Sequence, residues 1–328
     1  MQNLKMNALT FSEFGTAEVL EYKTLPTPTI DTGEVLVKMK AIGLNYADIY
    51  RRKGNYHLKG NSPYIAGYEG AGEVIATKSS KYEIGDRVAF TDVPYANAEY
   101  VNVPESQVIA LPDAITYDVA ASVLLQGLTA HYLSEDSHNV KKAEIVLIHA
   151  ASGGVGQILT QICKMKEAIV IGMSRSEAKL KVISRHNANH SVLLDDKWTN
   201  KVLDITKGVG VDVVYDSVGV TLQKSFEVTR EKGHVVFYGM SGGDPAPVDP
   251  RMLMDTSKTL SGGDLWSYIT THEERNKRAS ILFDWILNDK LKLEEPVRFK
   301  LSEGKAAHEF FEAGKSSGKI LLIPDSEF

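Results

Sequence analysis

Glu144-Ile-Val-Leu-Ile-His-Ala-Ala-Ser-Gly-Gly-Val-Gly156 sets a run of strand formers against a run of small residues, and the chain continues from Gln157 with helical spacing. Strand, glycine-rich turn and helix in that order predict a phosphate cradle. Glycines let the backbone approach a pyrophosphate closely, while unpaired N–H groups and the positive helix end favour its charge. Ala151, Gly153 and Gly156 take the three small-residue places of a dinucleotide fingerprint, so Ser152, Gly153, Gly154, Val155 and Gly156 are expected to face the ligand. A turn that merely packs closely is the bland alternative, and the strand and helix periods that follow weigh against it. No Lys-Ser/Thr pair follows the turn, which argues against an ATP-type loop.

Downstream, apolar runs at 168–173, 191–194, 211–215 and 234–238 alternate with helical stretches, and Thr259-Leu260 reads as an edge strand. Such alternation predicts a doubly wound parallel sheet. Upstream, Glu34 to Lys40, Gly72 to Ala76 and Asp86 to Phe90 are short β-like runs broken by Gly and Pro, the pattern of a compact antiparallel β domain. Between them, 116–133 has alanine- and leucine-rich helical spacing with Asp113 or Thr116 as its start, a bridge between domains. A helix is expected near 272–288, and the closing Lys319 to Ile323 run is β-like again. The predicted layout is α/β: a first domain over 1–124, a nucleotide domain over 125–262, and a return to the first domain over 263–328.

The end of the second strand bears on the cofactor. An NAD site usually places Asp or Glu there for the ribose hydroxyls. This chain reads Ile171-Gly-Met-Ser-Arg-Ser-Glu-Ala-Lys179, so Ser174, Arg175 and Lys179 offer donors and positive charge suited to a 2′-phosphate. NADPH is the expected cofactor. Glu177 lies nearby, and a simple cap at Ser176 with solvated Arg175 and Lys179 is the alternative.

The chain has 328 residues, 43% of them hydrophobic and 24% charged, enough for two cored domains. A net charge of -5 carries no basic excess for a phosphate backbone, so nucleic acid is not the partner that charge predicts. No apolar run reaches membrane-span length, and the first residues, Met1 to Lys5, lack a signal-peptide core; a cytoplasmic protein is expected. The one cysteine, Cys163, sits in an apolar helical stretch and excludes an intramolecular disulfide or a thiolate metal cluster.

Four segments, Gly67-Tyr-Glu-Gly-Ala-Gly72, Gly85-Asp-Arg-Val88, His149-Ala-Ala-Ser-Gly-Gly-Val-Gly156 and Val213-Val-Tyr-Asp-Ser-Val-Gly219, together resemble the medium-chain dehydrogenase/reductase superfamily. The Ala-Ala-x-Gly-Gly-Val-Gly loop and Leu125-Gln-Gly-Leu-Thr-Ala130 resemble its quinone oxidoreductase branch, which includes the zeta-crystallins. The resemblance implies a GroES-like β domain, a Rossmann domain and a nicotinamide held in a cleft between them. In zinc-dependent relatives a cysteine, a histidine and usually a second cysteine hold the catalytic metal. Here those places read Asn45, Tyr68 and the Gln126-Gly127 region. An amide and a phenol are poor zinc ligands, so no metal is expected. Without a Lewis acid to stabilise an alkoxide, easily reduced acceptors become the natural substrates.

By the same resemblance, Asn45, Asp48, Tyr50 and Tyr56 face the reacting groups, and Thr129 meets the nicotinamide amide. Ser217, Val218, Phe237, Gly239 and Ser241, on loops at strand ends, flank the cofactor, while Lys319 reaches it from the tail. Many relatives carry a tyrosine for the adenosine phosphate where this chain reads Ser191-Val-Leu-Leu-Asp-Asp196. His149, Tyr68 and Glu69 read as structural. The expected activity is NADPH-dependent reduction of a quinone by hydride or electron transfer. The alternatives are an enoyl or alkenal reductase on the same scaffold and a non-catalytic NADPH-binding protein of crystallin or RNA-binding type. Relatives often dimerise through Rossmann edge strands, and Lys258-Thr-Leu-Ser-Gly262 is the segment expected to do so here.

Overall fold

A computed structural model describes residues 5–328; Met1 to Leu4, part of the stretch read above for a signal peptide, lie outside the described residues. The chain forms two compact units. The first comprises Met1–Leu125, Ile269–Asn288 and Leu293–Phe328, the second Gln126–Tyr268 and Asp289–Lys292. The second unit thus runs six residues past the expected return at 263, and a four-residue strap belongs to it as well.

The first unit opens with β1 (Lys5–Phe11), β2 (Glu21–Pro26), β3 (Glu34–Leu44), α1 (Tyr46–Arg52), β4 (Tyr64–Ile65), β5 (Glu69–Thr77), β6 (Arg87–Thr91), β7 (Tyr100–Pro104) and β8 (Val108–Ala110). These strands build two sheets, β2-β1-β4 and a seven-stranded sheet ordered β15-β16-β3-β5-β6-β8 with β7 also paired to β3; β15 is Val297–Lys300 and β16 is Ile320–Ile323. Pairing is antiparallel except between β15 and β16. Residues 320–322 pair with 44–42 on β3. The core of this unit gathers Val35, Val37, Met39, Ile42, Phe90, Val103 and Leu322, all fully buried.

Helix α2 (Tyr117–Tyr132) passes from the first unit into the second. Thr116 Oγ1 accepts from the Val119 N–H at 3.2 Å, so Thr116 and not Asp113 caps it. Beyond Tyr132 a π-helical turn, Leu133–Ser137, carries it further than its spacing predicts.

The second unit contains β9 (Ile145–Ile148), α3 (Gly154–Met165), β10 (Ile169–Ser174), α4 (Glu177–Arg185), β11 (His190–Leu193), α5 (Trp198–Ile205), β12 (Val211–Asp216), α6 (Leu222–Glu227), β13 (Thr229–Phe237), α7 (Pro250–Thr256) and β14 (Thr259–Gly262). Its six strands are parallel and ordered β11-β10-β9-β12-β13-β14, the doubly wound order of a Rossmann fold. The central strand Ile145-Val-Leu-Ile148 is an unbroken apolar run because both its faces are covered. Strand β13 starts five residues before the expected His234. Its Thr229-Arg-Glu-Lys-Gly233 lead is too polar to read as a strand, and it pairs with β12 through a register shift between Val211 and Val213. The chain then returns through α8 (His272–Leu287) and α9 (Gly304–Glu312). Among the described residues no helix is long and apolar enough to cross a membrane.

Three histidines are kept neutral by burial, and this gives the fold a pH dependence. His308, fully buried beside Arg52, is pushed down to about 3 by burial and then by that guanidinium. Burial lowers His149 against the opposing pull of Asp216, and burial with His138 lowers His234 to about 4. A depressed histidine stays neutral in the fold where the unfolded chain, with its pKa of about 6.5, binds a proton. Stability is therefore full above about 6.5 and falls as pH drops from there towards the folded values. Urea unfolding should lose about 2 kcal/mol in all between pH 7 and 5 from His308 alone, the slope nearing about 1.4 kcal/mol per pH unit only below about 6.5, with His149 adding in the same direction. A flat profile over that range would contradict this account.

Candidate active site

In the second unit, β9 ends at Ile148 and the chain turns through Ala150, with φ +48°, into Gly153, the N-cap of α3. A Cβ on Gly154 would collide with the Gln126 carboxamide, and one on Gly156 would lie 2.5 Å from Ala150 O and 2.6 Å from Ala151 Cα. Gly156 demands glycine because backbone blocks it, whereas the Gln126 side chain facing Gly154 can rotate aside. Gly153 differs: its Cβ would meet only Ala150 O, at 3.2 Å, which leaves its outer face open to a ligand. Together with the first N–H groups of α3, which have no intrahelical acceptor, this turn suits an anion.

Ser152 Oγ and Ser174 Oγ lie 3.0 Å apart, tying the turn to the end of β10. Arg175 follows exposed, and Lys179 sits half-buried one turn into α4. Burial first and the Arg175 charge second hold the Lys179 amine below its ordinary value. Two cations set against each other next to two hydroxyls form a place where a phosphate dianion relieves repulsion. No carboxylate stands at the end of β10; Glu177 opens α4 and is exposed. The residues present therefore fit a 2′-phosphorylated dinucleotide.

The strand order reverses between β10-β9 and β12, and a doubly wound sheet binds its ligand outside the strand ends at that point. There Asp216, fully buried at the end of β12, accepts from Val218 N (2.9 Å), Gly219 N (3.1 Å), Thr221 Oγ1 (2.8 Å) and Ser225 Oγ (2.7 Å). Burial pushes its carboxyl up, but His149 and these donors more than offset that and hold it below the usual carboxylate range. Ser225 gives its proton to Asp216, so His149 donates from Nε2 into the same hydroxyl at 2.9 Å, and its Nδ1 has no partner among the described residues. The trio is sealed from solvent and fixes a loop; it is no nucleophile site.

That loop carries Ser217 and Val218. Ser241 donates to Ser217 O from both N and Oγ at 3.0 Å, and Gly242 N donates to Val218 O at 2.9 Å. Gly239 lies against Ser217, and Phe237 ends β13. Thr129 is buried on α2. The second unit thus brings together Ser152 to Gly156, Ser174, Ser217, Val218, Phe237, Gly239 and Ser241 around the strand ends. The sequence reading missed Asp216, whose only local signal is an acidic residue closing an apolar strand just before Ser-Val-Gly.

In the first unit, Asn45 is the N-cap of α1, and its backbone N–H donates to Asp48 Oδ2 at 2.9 Å. Burial pushes the Asp48 carboxyl up, opposed by Arg51, the Asn45 N–H and Lys319. The Asn45 side chain turns away from the helix: Nδ2 donates to Glu69 Oε2 at 2.7 Å, and Oδ1 accepts from Lys319 Nζ at 2.8 Å. Tyr50 lies edge-on to both Tyr46 (5.5 Å) and Tyr56 (6.3 Å), so the two candidate tyrosines share one aromatic cluster.

Zinc does not fit the donors present. The Asn45 amide is engaged by Glu69 and Lys319, and Tyr68 carries the Arg51 guanidinium 3.4 Å from its ring centre. Burial pushes the Tyr68 phenol up, away from the phenolate that a metal would need. Among the described residues no three His, Cys, Asp or Glu side chains are placed to hold a metal ion.

Comparison with known proteins agrees with this arrangement. The family described as alcohol dehydrogenase GroES-like domain matches residues 31–113, and that described as zinc-binding dehydrogenase matches residues 154–279. A probable quinone oxidoreductase of Schizosaccharomyces pombe is 35% identical over 95% of this chain and 95% of its own length. A 2-haloacrylate reductase of a Burkholderia species is 32% identical, covering 90% of this chain and 92% of its own. The structure of Escherichia coli quinone oxidoreductase complexed with NADPH superposes with a TM-score of 0.91 at 31% identity, over 97% of this chain and all of that one.

Proposed function

The chain belongs to the medium-chain dehydrogenase/reductase superfamily, in its quinone oxidoreductase branch, and from that premise we propose that it is an NADPH:quinone oxidoreductase that works without zinc. The observation that carries the metal-free reading is the pair Asn45 and Tyr68, an engaged amide and a phenol under a guanidinium, at places where relatives hold zinc. With no metal to stabilise an alkoxide, binding and orientation of an acceptor that is itself easily reduced must suffice.

In this reading Ser152, Gly153, Gly154, Val155 and Gly156 hold the pyrophosphate, while Ser174, Arg175 and Lys179 hold the 2′-phosphate. Thr129 meets the nicotinamide amide, and Ser217, Val218, Phe237, Gly239 and Ser241 flank the ring and its ribose. Asn45 and Lys319 meet the cofactor from the first unit, and Asp48, Tyr50 and Tyr56 stand by the acceptor. Bound NADPH would supply the hydride, which with one proton from solvent turns a quinone into its hydroquinone. The protein's share is position, dryness and polarity. We further place the enzyme in the cytoplasm as a homodimer joined along β14, which among the described residues pairs only with β13. Light scattering that gave a monomer at micromolar concentration would remove the dimer from this proposal.

The direct test is oxidation of NADPH, with NADH in parallel, by an ortho-quinone in the presence of a strong chelator. A chelator-resistant rate favouring NADPH is expected. Loss of the rate to chelator would overturn the zinc argument, and preference for NADH the cofactor argument. Turnover of 2-alkenals alone would replace the quinone with a conjugated carbonyl.

A further inference from the structure

We infer that Glu69 is the positioning residue that sets Asn45 and Lys319 as a matched acceptor and donor for a hydroxyl group of the cofactor. The inference rests on the reading that these two side chains meet the cofactor. Glu69 starts β5 and is fully buried. Its Oε1 accepts from Leu125 N at 2.6 Å, and its Oε2 accepts from Asn45 Nδ2 at 2.7 Å and from Lys319 Nζ at 2.6 Å. One carboxylate therefore joins α2, the cap of α1 and the residue entering β16.

Its chemistry dictates how the other two groups turn. A carboxylate only accepts, so it selects the NH2 end of the Asn45 amide and directs the carbonyl end to Lys319. Gly43 O, at 3.2 Å, takes the second amide hydrogen. What remains can be counted: an amide oxygen has two lone pairs and Lys319 uses one; an ammonium has three N–H bonds and Glu69 and Asn45 use two. One acceptor site and one donor are left side by side. A hydroxyl, which donates and accepts, satisfies both. A phosphate only accepts and would bring a second anion to Glu69, which already balances the Lys319 charge. The cofactor group of this class is a ribose hydroxyl.

Without Glu69 the amide is free to flip, and Lys319 becomes a buried cation with no counter-charge. Four full-length proteins, wild type, Glu69→Gln, Lys319→Met and the double variant, would be titrated with NADPH at two ionic strengths, alongside kcat with a quinone and the thermal midpoint. Glu69→Gln should raise the NADPH Kd about tenfold and leave kcat within about threefold, the loss of one to two hydrogen bonds. Lys319→Met should weaken binding similarly without changing the salt dependence, because the group it meets is neutral. The double variant should regain thermal midpoint yet bind no better than either single variant. Lys319→Met that binds like wild type would sink the underlying reading. Lys319→Met that binds weakly while Glu69→Gln binds normally would sink the inference alone, as would a flattened salt dependence in Lys319→Met. Were Glu69→Gln not to fold, Glu69→Asp, which keeps the charge but withdraws it from the Asn45 amide and Lys319, decides: wild-type affinity overturns the inference, and a raised NADPH Kd with kcat kept supports it.

Discussion

Gly156→Val is expected to abolish measurable use of NADPH, raising its Kd at least about 100-fold, or about 2.7 kcal/mol. The position leaves no room: a Cβ would stand 2.5 Å from Ala150 O, 2.6 Å from Ala151 Cα and 3.0 Å from Ala150 C. These are backbone atoms of the glycine-rich turn itself and cannot rotate aside as a side chain would. Relief requires either α3 to lift from the end of β9 or the turn to open, and each displaces the N–H groups that we propose face the pyrophosphate. Overpacking of this kind also costs about 1–3 kcal/mol of stability, so the thermal midpoint should fall by several degrees. Gly153→Ala separates the two effects. Its Cβ would meet only Ala150 O at 3.2 Å, so the fold should tolerate it, and any loss of NADPH affinity then reports the closeness of the ligand. A Gly156→Val enzyme that binds NADPH within threefold of wild type would show that the turn does not hold the cofactor.

The second large effect is on cofactor choice. The double substitution Arg175→Ala/Lys179→Ala should lower kcat/KM for NADPH by roughly 30-fold, about 2 kcal/mol for two exposed or half-exposed charge contacts to phosphate, and leave NADH use within about twofold. Burial first, and then the neighbouring Arg175 charge, lowers the amine of this half-buried lysine. In the proposed reading, both cations face the ligand's 2′-phosphate. Since screening acts over about 8 Å at physiological salt, the NADPH preference of the wild type should shrink as salt rises, and the double variant should lose that dependence. Equal losses with both cofactors would move Arg175 and Lys179 from phosphate recognition to general support of α4.

Much of this protein was legible along the chain because local patterns answer local questions. The unbroken Ile145 to Ile148 run marks a strand buried on both faces, and glycines at 153 and 156 mark a turn where backbone approaches backbone. Ser174 and Arg175 at the end of β10 carry our proposal of a 2′-phosphate site, and a single cysteine forbids a thiolate zinc lobe. The polar lead of β13 was not legible, because its strand character comes from pairing with β12 and not from its own residues.

The parts that only the tertiary structure decided are those where partners are far apart in sequence. No periodicity orders six parallel strands as β11-β10-β9-β12-β13-β14, since each strand reads alike and order is chosen by how helices cover both faces. Asp216 looks like the polar end of a strand until the fold folds Val218, Gly219, Thr221 and Ser225 around it. Glu69 reads as structural until Lys319, 250 residues later, arrives against it and turns the Asn45 amide. Sequence determined which segments are strand, turn and helix, through side-chain size and alternation. Which buried charges and amides face one another was left to long-range packing, because a buried polar group takes whatever partner the closed fold brings within hydrogen-bond reach.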